Sequence, residues 1–224
     1  MGEVQDQRAA RPYQALCGMI VPVLTLVGVL VGGWLWDDYS HRTQVISDLG
    51  GTQAPYPLVQ NVSFLIGGLL IVVFAVGLRR GLDHGRGARL GPALVGVFGL
   101  AWASMAVLPC TAIMCEGEAA IDALHLLVIN VGLLAFALGT LLIWRGLRRR
   151  PDWRGLSSYT ALTGIATLVL MVVTFIAAAV DPEALYIGLV QRVKAVVIMV
   201  WIGVVGLRLL HGTRASAQAS LEST

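Results

Sequence analysis

Residues 126–144 read LLVINVGLLAFALGTLLIW, a stretch without an ionisable side chain. Crossing the hydrocarbon core of a bilayer takes about 20 apolar residues in helical conformation, so this run is long enough to do so. Similar apolar runs lie on both sides of it in the chain. Together they predict six transmembrane helices, at roughly Tyr13–Trp36, Pro57–Leu78, Leu90–Leu108, Ile121–Trp144, Leu156–Val180 and Ile187–Leu210.

The composition of the whole chain also indicates a membrane protein. Of 224 residues, 57% are hydrophobic and 13% are charged, whereas an average soluble domain carries about 25% charged residues. The net charge of +3 does not indicate a nucleic-acid partner, because the arginines lie at the ends of the apolar runs and not in one patch. The expected fold class is an all-α membrane protein, since an open strand would leave backbone groups unpaired in lipid.

The distribution of arginine predicts the orientation of the six-helix bundle. Arginine is frequent in the N-terminal segment, in the loops after the second and fourth runs and in the tail, and it is rare in the alternate loops. The positive-inside rule then places both termini in the cytoplasm, an N-in/C-in arrangement. The preference for arginine over lysine suggests a bacterial source, so the predicted location is the bacterial plasma membrane. The predicted divisions are a cytoplasmic segment at 1–12, a transmembrane domain at 13–210 and a disordered cytoplasmic tail at 211–224.

The loop between the first two runs contains most of the polar side chains predicted on the outer side. It reads DDYSHRTQVISDLGGTQAPY at positions 37–56 and is long for a link between packed helices. Its apolar residues Val45, Ile46 and Leu49 predict that it folds back onto the bundle. The candidate catalytic residues in this loop are His41, Ser47 and Asp48.

The start of the fourth predicted helix adds a second polar group on the outer side. Glu118, Asp122 and His125 are spaced by four and three residues, so they share one face of the helix. His125 is expected about one turn inside the membrane, at a depth of roughly 6 Å. Asp122 is a candidate ligand-binding residue, and His125 completes the candidate catalytic set.

The sixth predicted helix opens with Gln191, Arg192 and Lys194 inside an otherwise apolar run. Charges within a span are costly and usually face a partner or the protein interior. We expect Arg192 or Lys194 to pair with an outer carboxylate, most of all Asp48. The pair would be either a structural ion pair or part of a pocket for an anionic headgroup. Gln191, Arg192 and Lys194 therefore join Asp122 as candidate ligand-binding residues.

Two cysteines, Cys110 and Cys115, lie close together in the loop after the third run. An extracytoplasmic loop permits a disulfide, which would staple this loop. A redox-active pair is the alternative interpretation, although the spacing is not the C-x-x-C of thiol oxidoreductases.

The outer polar residues allow more than one kind of site. Ser47 beside Asp48, with His41 and His125 available, could be arranged as a nucleophile and a base. The same histidines with Asp48 and Asp122 could ligate a metal, but the chain has no H-E-x-x-H or comparable spacing. We therefore predict neither a metal nor another cofactor, and the sequence leaves open whether the protein is an enzyme.

The middle of the predicted membrane region is nearly free of ionisable side chains. Proton- or ion-coupled carriers usually place charged groups or broken helices there, so a transporter is not favoured. The polar residues of this zone are expected to form hydrogen bonds between helices, and they include Ser104, Asn130, Thr163, Thr167 and Thr174.

Short motifs recur along the chain in one combination. They are Tyr39-Ser40-His41, Ile46-Ser47-Asp48-Leu49-Gly50, Ala54-Pro55, Leu108-Pro109-Cys110 with Cys115, His125-Leu126 and Gly188-Leu189-Val190-Gln191-Arg192. Through them the chain resembles, from its first span to its last, the bacterial domain-of-unknown-function 998 family. The resemblance implies six spans and no assigned activity. It also implies joint action of the residues on motif positions, namely His41, Ser47, Asp48, His125, Gln191 and Arg192. The chain departs from the family pattern at Thr111, where an acidic residue is common.

The loop motif I-S-D and the histidine of the fourth span also show a fainter likeness to eukaryotic six-span proteins of the DRAM and GPI-anchor-remodelling type, which are tied to lipid handling. The function predicted from the sequence is that of a multi-pass membrane protein whose outer polar pocket binds a lipid or other anionic headgroup. Its expected partners are membrane lipids or a hydrophobic small molecule. The alternatives are an intramembrane hydrolase or transferase acting on a lipid-like substrate, and a non-catalytic membrane assembly partner.

Overall fold

The computed structural model describes residues 10–82, 86–117, 119–150, 153–180 and 185–222, with the backbone alone at 86–88, 154 and 214–222. These residues form helices and two short 3-10 turns, at Ile46–Gly50 and Ile113–Cys115, and no strand occurs among them. The helices are α1 (Pro12–Trp34), α2 (Pro57–Gly81), α3 (Arg86–Ser104), α4 (Ala120–Leu147), α5 (Arg154–Val180) and α6 (Ile187–Glu222). The predicted all-α class is confirmed.

Five helices have the length and apolar composition of membrane spans. They are α1, α2, α4, the part of α5 at Gly155–Val180 and the part of α6 at Ile187–Thr213. The helix outside this set, α3, ends at Ser104 and not at the predicted Leu108, because residues 105–108 form turns. Pro109 disfavours helical conformation at the residue before it, which explains the early end.

The last helix continues into the tail. The backbone of α6 is helical to Glu222, and the disorder expected for residues 211–224 stays a prediction. Residues 215–222 read ASAQASLE, and their alanine, glutamine, leucine and glutamate favour helix. The predicted side-by-side arrangement of Glu118 with Asp122 and His125 cannot be followed, because Glu118 lies outside the described residues.

The helices form a closed ring. Each packs against its neighbours in the chain, and α6 packs against α1. Glycines permit close contact on both sides of α3: a Cβ at Gly68 would lie 2.5 Å from the carbonyl oxygen of Gly99, and one at Gly91 would lie 2.9 Å from that of Gly139. In lipid, where helices gain little from leaving the solvent, such close backbone packing stabilises the bundle.

Aromatic side chains fill the centre of the ring. Phe98, Phe136 and Trp201 are fully buried, with ring centroids 5.2 Å apart for the first two and 5.4 Å apart for the last two. The indole N–H of Trp201 donates to the hydroxyl of Thr160 at 3.1 Å, so its polar atom is satisfied in the core.

The polar residues predicted to bond between helices bond mainly within their own helices, but one of them, Thr174, also accepts a bond from Lys194 of another helix, as predicted. The side chains of Ser104, Asn130, Thr163, Thr167 and Thr174 each donate to a backbone carbonyl three or four positions earlier. That carbonyl is the nearest acceptor on a helix, so the side chains of Ser104, Asn130, Thr163 and Thr167 are satisfied without a partner on another helix.

Candidate functional site

The loop after α1 folds back onto one end of the bundle, as predicted. Its 3-10 turn Ile46–Gly50 is buried and contacts α1, α2, α6 and the second turn, Ile113–Cys115. Val45 and Leu49 are 7% and 2% exposed. Burial of these apolar side chains brings Ser47, between them, into the protein interior.

Asp48 joins this turn to the loop after α3. Its carboxylate accepts the amide N–H of Val45 at 3.0 Å and that of Met114 at 2.7 Å. Met114 and Cys115 have φ of 59° and 58°, a left-handed conformation uncommon outside glycine. Burial raises the pKa of Asp48 to about 6, against the opposing effects of the two amide bonds and the charge of Arg192. Asp48 is thus a bridge between two loops.

Asp122 anchors the second loop. A disulfide joins Cys110 and Cys115, and the Asp122 carboxylate accepts the Thr111 N–H at 2.7 Å and the Thr111 hydroxyl. The Thr52 N–H donates to the Cys110 carbonyl at 2.9 Å, which ties the two loops together again. Asp122, a predicted ligand-binding residue, is therefore engaged in holding the disulfide loop.

Ser47 and His125 meet in the interior, where they are 9% and 1% exposed. The Nδ1 atom of His125 lies 2.5 Å from the carbonyl oxygen of Leu108, so Nδ1 carries the proton and donates it to that carbonyl. The other ring nitrogen, Nε2, is then an acceptor, and it lies 3.1 Å from the Ser47 hydroxyl oxygen. The Cys110 sulfur lies 3.7 Å from the same nitrogen. The pair has the geometry of a nucleophile beside a base.

The expected ion pair with Asp48 is not formed: within the described part of the chain, Arg192 and Lys194 bond to uncharged groups. The guanidinium of Arg192 donates to the Gln44 carbonyl at 2.7 Å, the Gly188 carbonyl at 2.9 Å, His41 Nδ1 at 3.2 Å and the Tyr39 hydroxyl. The oxygens of Asp48 are occupied by amides, and the planar fork of Arg192 suits several carbonyls at once. Arg192 therefore fastens the first loop to α6.

His41 is separate from the Ser47–His125 pair. It is an exposed residue whose ring accepts the Arg192 bond and packs edge-on against Tyr39. Partial burial and the Arg192 charge lower the pKa of His41, which favours the neutral ring that this bond requires. The predicted catalytic set of four is thus divided into a buried pair, a bridge and a loop residue.

An apolar cavity of about 300 Å³ lies beside the Ser47–His125 pair, within the usual size range of small-molecule sites. Apolar residues that line it include Phe64, Trp102, Met105, Leu133, Ile198 and Met199. The polar residues that reach it are Ser47, Glu116, His125, Asn130, Thr174, Gln191 and Lys194. Of the predicted ligand-binding residues, only Gln191 and Lys194 line this cavity.

Lys194 is the buried cation of this cavity. It is 6% exposed, and its ammonium donates to the Thr174 hydroxyl at 3.1 Å. No carboxylate lies within ion-pair distance of it in the described part of the chain, although an ammonium offers three donors. The indole N–H of Trp102, which lines the same cavity, has no partner among the described residues either. The residues that line the cavity therefore include donors with unused capacity.

Sequence reasoning missed Trp102 and assigned Thr174 only to helix packing. Trp102 and Thr174 lie in α3 and α5, far from Lys194 in the sequence, and no spacing rule connects them. Of these three residues, only Lys194 could be recognised from the sequence as a buried polar residue, because it is the single lysine of the chain and lies in an apolar run.

The side-chain donors of Cys110, Cys115 and His125 lie within 4.8 Å of one another, a grouping that could hold a metal ion if the cysteines were thiolates. The two sulfurs are joined in a disulfide, so they do not fit a metal in this form.

Residues 19–208 match the family model described as a protein of unknown function, DUF998. No curated protein and no solved structure matches the chain. The match confirms the family resemblance of the motifs, whereas the bacterial source and the likeness to DRAM and GPI-anchor-remodelling proteins stay predictions. The chain belongs to the DUF998 family of proteins of unknown function.

Proposed function

We propose that this multi-pass membrane protein binds an anionic amphiphile, a molecule with an apolar chain and a carboxylate or phosphate head, in the cavity between its helices. The observation that supports the proposal is Lys194, a buried ammonium whose described partner is one neutral hydroxyl. Taking a charge out of water is costly unless it is paired and hydrogen-bonded. A ligand anion would supply that pairing through short, charge-assisted hydrogen bonds.

The walls of the cavity suit the apolar part of such a ligand. They consist mainly of aliphatic, aromatic and methionine side chains, and the Trp102 N–H offers a second donor for a ligand oxygen. This assignment changes the predicted headgroup site, because Arg192 is occupied by the first loop and does not line the cavity. Lys194, with Gln191 beside the cavity, takes its place.

Entry of the ligand is proposed from the side, between α4 and α5. Leu126 and Phe175 line the cavity and are 41% and 57% exposed, so the cavity reaches the outer surface of the ring there. Helix α5 is the least buried span: 17% of its apolar window is buried, against 39% to 50% in the other four spans. A membrane-facing opening would admit an amphiphile directly from the lipid.

We further propose that α3 is the sixth span, with both termini in the cytoplasm of the plasma membrane. Leu90–Leu108 is apolar, and the arginines fall into alternate loops as the positive-inside rule requires. The Ile46–Gly50 turn and the start of α6 would then lie on the outer side, with Lys194 about two turns inside the membrane.

Native mass spectrometry of the protein in mild detergent tests the proposal. Purified protein is incubated with dodecanoate, dodecyl phosphate or neutral dodecanol, and the bound fraction is measured. We expect retention of one or both anions and weaker retention of dodecanol. Lys194→Met removes a charge-assisted hydrogen bond worth about 1.5–3 kcal/mol, so this variant should bind the anions about 10- to 100-fold more weakly.

The matched control is Arg145→Met, which removes one positive charge from an exposed position at the end of α4, away from the cavity. It should leave anion binding unchanged. Equal retention of all three ligands, or equal anion binding by wild type and Lys194→Met, would show that Lys194 does not receive an anion. A preference of the protein for dodecanoate or for dodecyl phosphate would show whether the head of the ligand is a carboxylate or a phosphate.

A further inference from the structure

We infer that Ser47 and His125 are a nucleophile and its base, and that they cleave the ester bond of an acylated amphiphile held in the cavity. The inference rests on the proposed function, because the cavity holds the acyl chain. Both residues line that cavity and are buried, and the Ser47 oxygen lies 3.1 Å from Nε2 of His125.

The third member of the group is a backbone carbonyl. The oxygen of Leu108 receives the Nδ1 proton of His125, which leaves Nε2 as the basic nitrogen that faces Ser47. Pro109 ends α3 early, so this carbonyl is free of the helix and points to the histidine. Leu108 is a positioning residue with the role that a carboxylate has in many serine hydrolases, where it fixes the tautomer of the histidine.

The nucleophile is also held from its own side. The Ile46 N–H donates to the Gln191 side chain at 2.5 Å, and the Asp48 carboxylate accepts the Val45 N–H, so the residues on both sides of Ser47 are fixed. Fixed geometry at 3 Å is what a nucleophile–base pair requires. Trp102 lines the same cavity, and its N–H has no partner among the described residues, so it is our candidate donor to the negative charge that forms on the ester oxygen.

The reaction balances with water as the second substrate. The Ser47 oxygen forms a bond to the acyl carbon as its proton moves to Nε2 of His125. The carbon–oxygen bond of the alcohol then breaks, and the alcohol leaves with that proton. Water adds to the acyl carbon, giving a proton to His125, and the serine oxygen leaves and takes the proton back. The net change is ester plus water to carboxylic acid plus alcohol.

The test is labelling of the intact protein with dodecyl fluorophosphonate, read by mass spectrometry. The serine oxygen forms a bond to phosphorus, fluoride leaves and the proton goes to His125. We expect one adduct, mapped to the peptide that contains Ser47. His125→Gln keeps a hydrogen-bonding side chain but lacks a basic nitrogen, and should be labelled at least about 100-fold more slowly. Ser157→Ala, a buried serine of α5 that does not line the cavity, should be labelled like wild type.

The structural alternative is that the Ser47–His125 bond only stabilises the fold. It predicts no adduct on folded wild-type protein, and that result would overturn the inference without needing any variant. Ser47→Ala should give no adduct. If that variant does not fold, Ser47→Cys replaces it and should accept a thiol-reactive alkylating probe in a His125-dependent manner. Folded protein that binds dodecanoate but gives no adduct refutes this inference alone. An adduct on Ser47 without the Lys194 effect on anion binding refutes only the proposed anion site.

Discussion

The carboxylate of Asp48 accepts the amide N–H of Met114 at 2.7 Å, and this bond joins the loop after α1 to the loop after α3. Each loop contributes cavity wall beside the bond: Ile46 and Ser47 on one side, Met114 and Cys115 on the other. The geometry of the proposed site therefore depends on a contact between residues that are 66 positions apart in the chain.

Replacing Asp48 by alanine should destabilise the protein. The substitution leaves the amides of buried Val45 and half-buried Met114 without their acceptor, and each unsatisfied buried donor costs about 1–3 kcal/mol. The unfolding temperature in detergent measures the effect. Asp37→Ala, at an exposed position in the same loop, should change the free energy of unfolding by no more than about 0.5 kcal/mol. Equal stability of the two variants would contradict the bridging role of Asp48.

The raised pKa of Asp48 predicts a pH dependence of stability. Its pKa of about 6 in the folded protein lies above its ordinary value of 3.8, so the folded state keeps a proton that the unfolded chain has lost. The contribution of Asp48 to the free energy of unfolding is therefore largest below about pH 4, and it is lost as the pH rises through about 6. Asp48→Asn should lack this slope. The lowered pKa of His41 makes stability rise with pH, which is the opposite direction. Because His41 is present in both wild type and Asp48→Asn, the difference between their stability curves isolates the effect of Asp48.

Replacing Arg192 by lysine should release the first loop from α6. Lysine keeps the charge but cannot reproduce the fork that bonds Gln44, Gly188 and Tyr39 together. We expect a loss of about 1.5–3 kcal/mol of stability and faster proteolysis within residues 39–45, with dodecanoate binding changed far less than by Lys194→Met. Arg145→Lys is the exposed control. Loss of anion binding in Arg192→Lys without loss of stability would instead place Arg192 in the ligand site.

Removing the disulfide should weaken the second loop. Cys110 and Cys115 enclose a short loop, and loop-closure entropy for this length gives about 2 kcal/mol. The double variant with serine at both positions should lose about 2 kcal/mol of stability, measured as a lower unfolding temperature. Its unfolding temperature should not respond to reducing agents, whereas that of wild type should. Cys17→Ser, which removes the free thiol, is the control. A wild type whose unfolding temperature does not respond to reduction would contradict the disulfide.

Most of the helical framework could be predicted from the sequence, because the length of an apolar run is a local property. The apolar residues Val45 and Leu49 also correctly predicted that the first loop folds back onto the bundle. Pro109 accounts for the early end of α3, but no local pattern indicates that the Leu108 carbonyl bonds to His125, because that is a contact between two elements.

The site was predicted as a set of residue types and not as an arrangement. Ser47 and His125 are brought together as the sequence allowed, but the partners of Arg192 turned out to be backbone carbonyls and a tyrosine. No sequence pattern indicates that a carboxylate such as Asp48 is already satisfied by amides of a distant loop. The cavity itself is a property of five helices and two turns together, so Trp102 and Thr174 could not be assigned to it.

The most direct test of anion binding uses the fact that Lys194 is the only lysine in the chain. Labelling lysine with ¹⁵N at Nζ gives one side-chain ammonium signal, whose dipolar coupling to the phosphorus of bound dodecyl phosphate can be measured by solid-state NMR. The proposed function predicts a coupling that corresponds to about 4 Å or less between nitrogen and phosphorus, and a shifted ammonium signal. A signal that neither shifts nor couples at saturating dodecyl phosphate would contradict it.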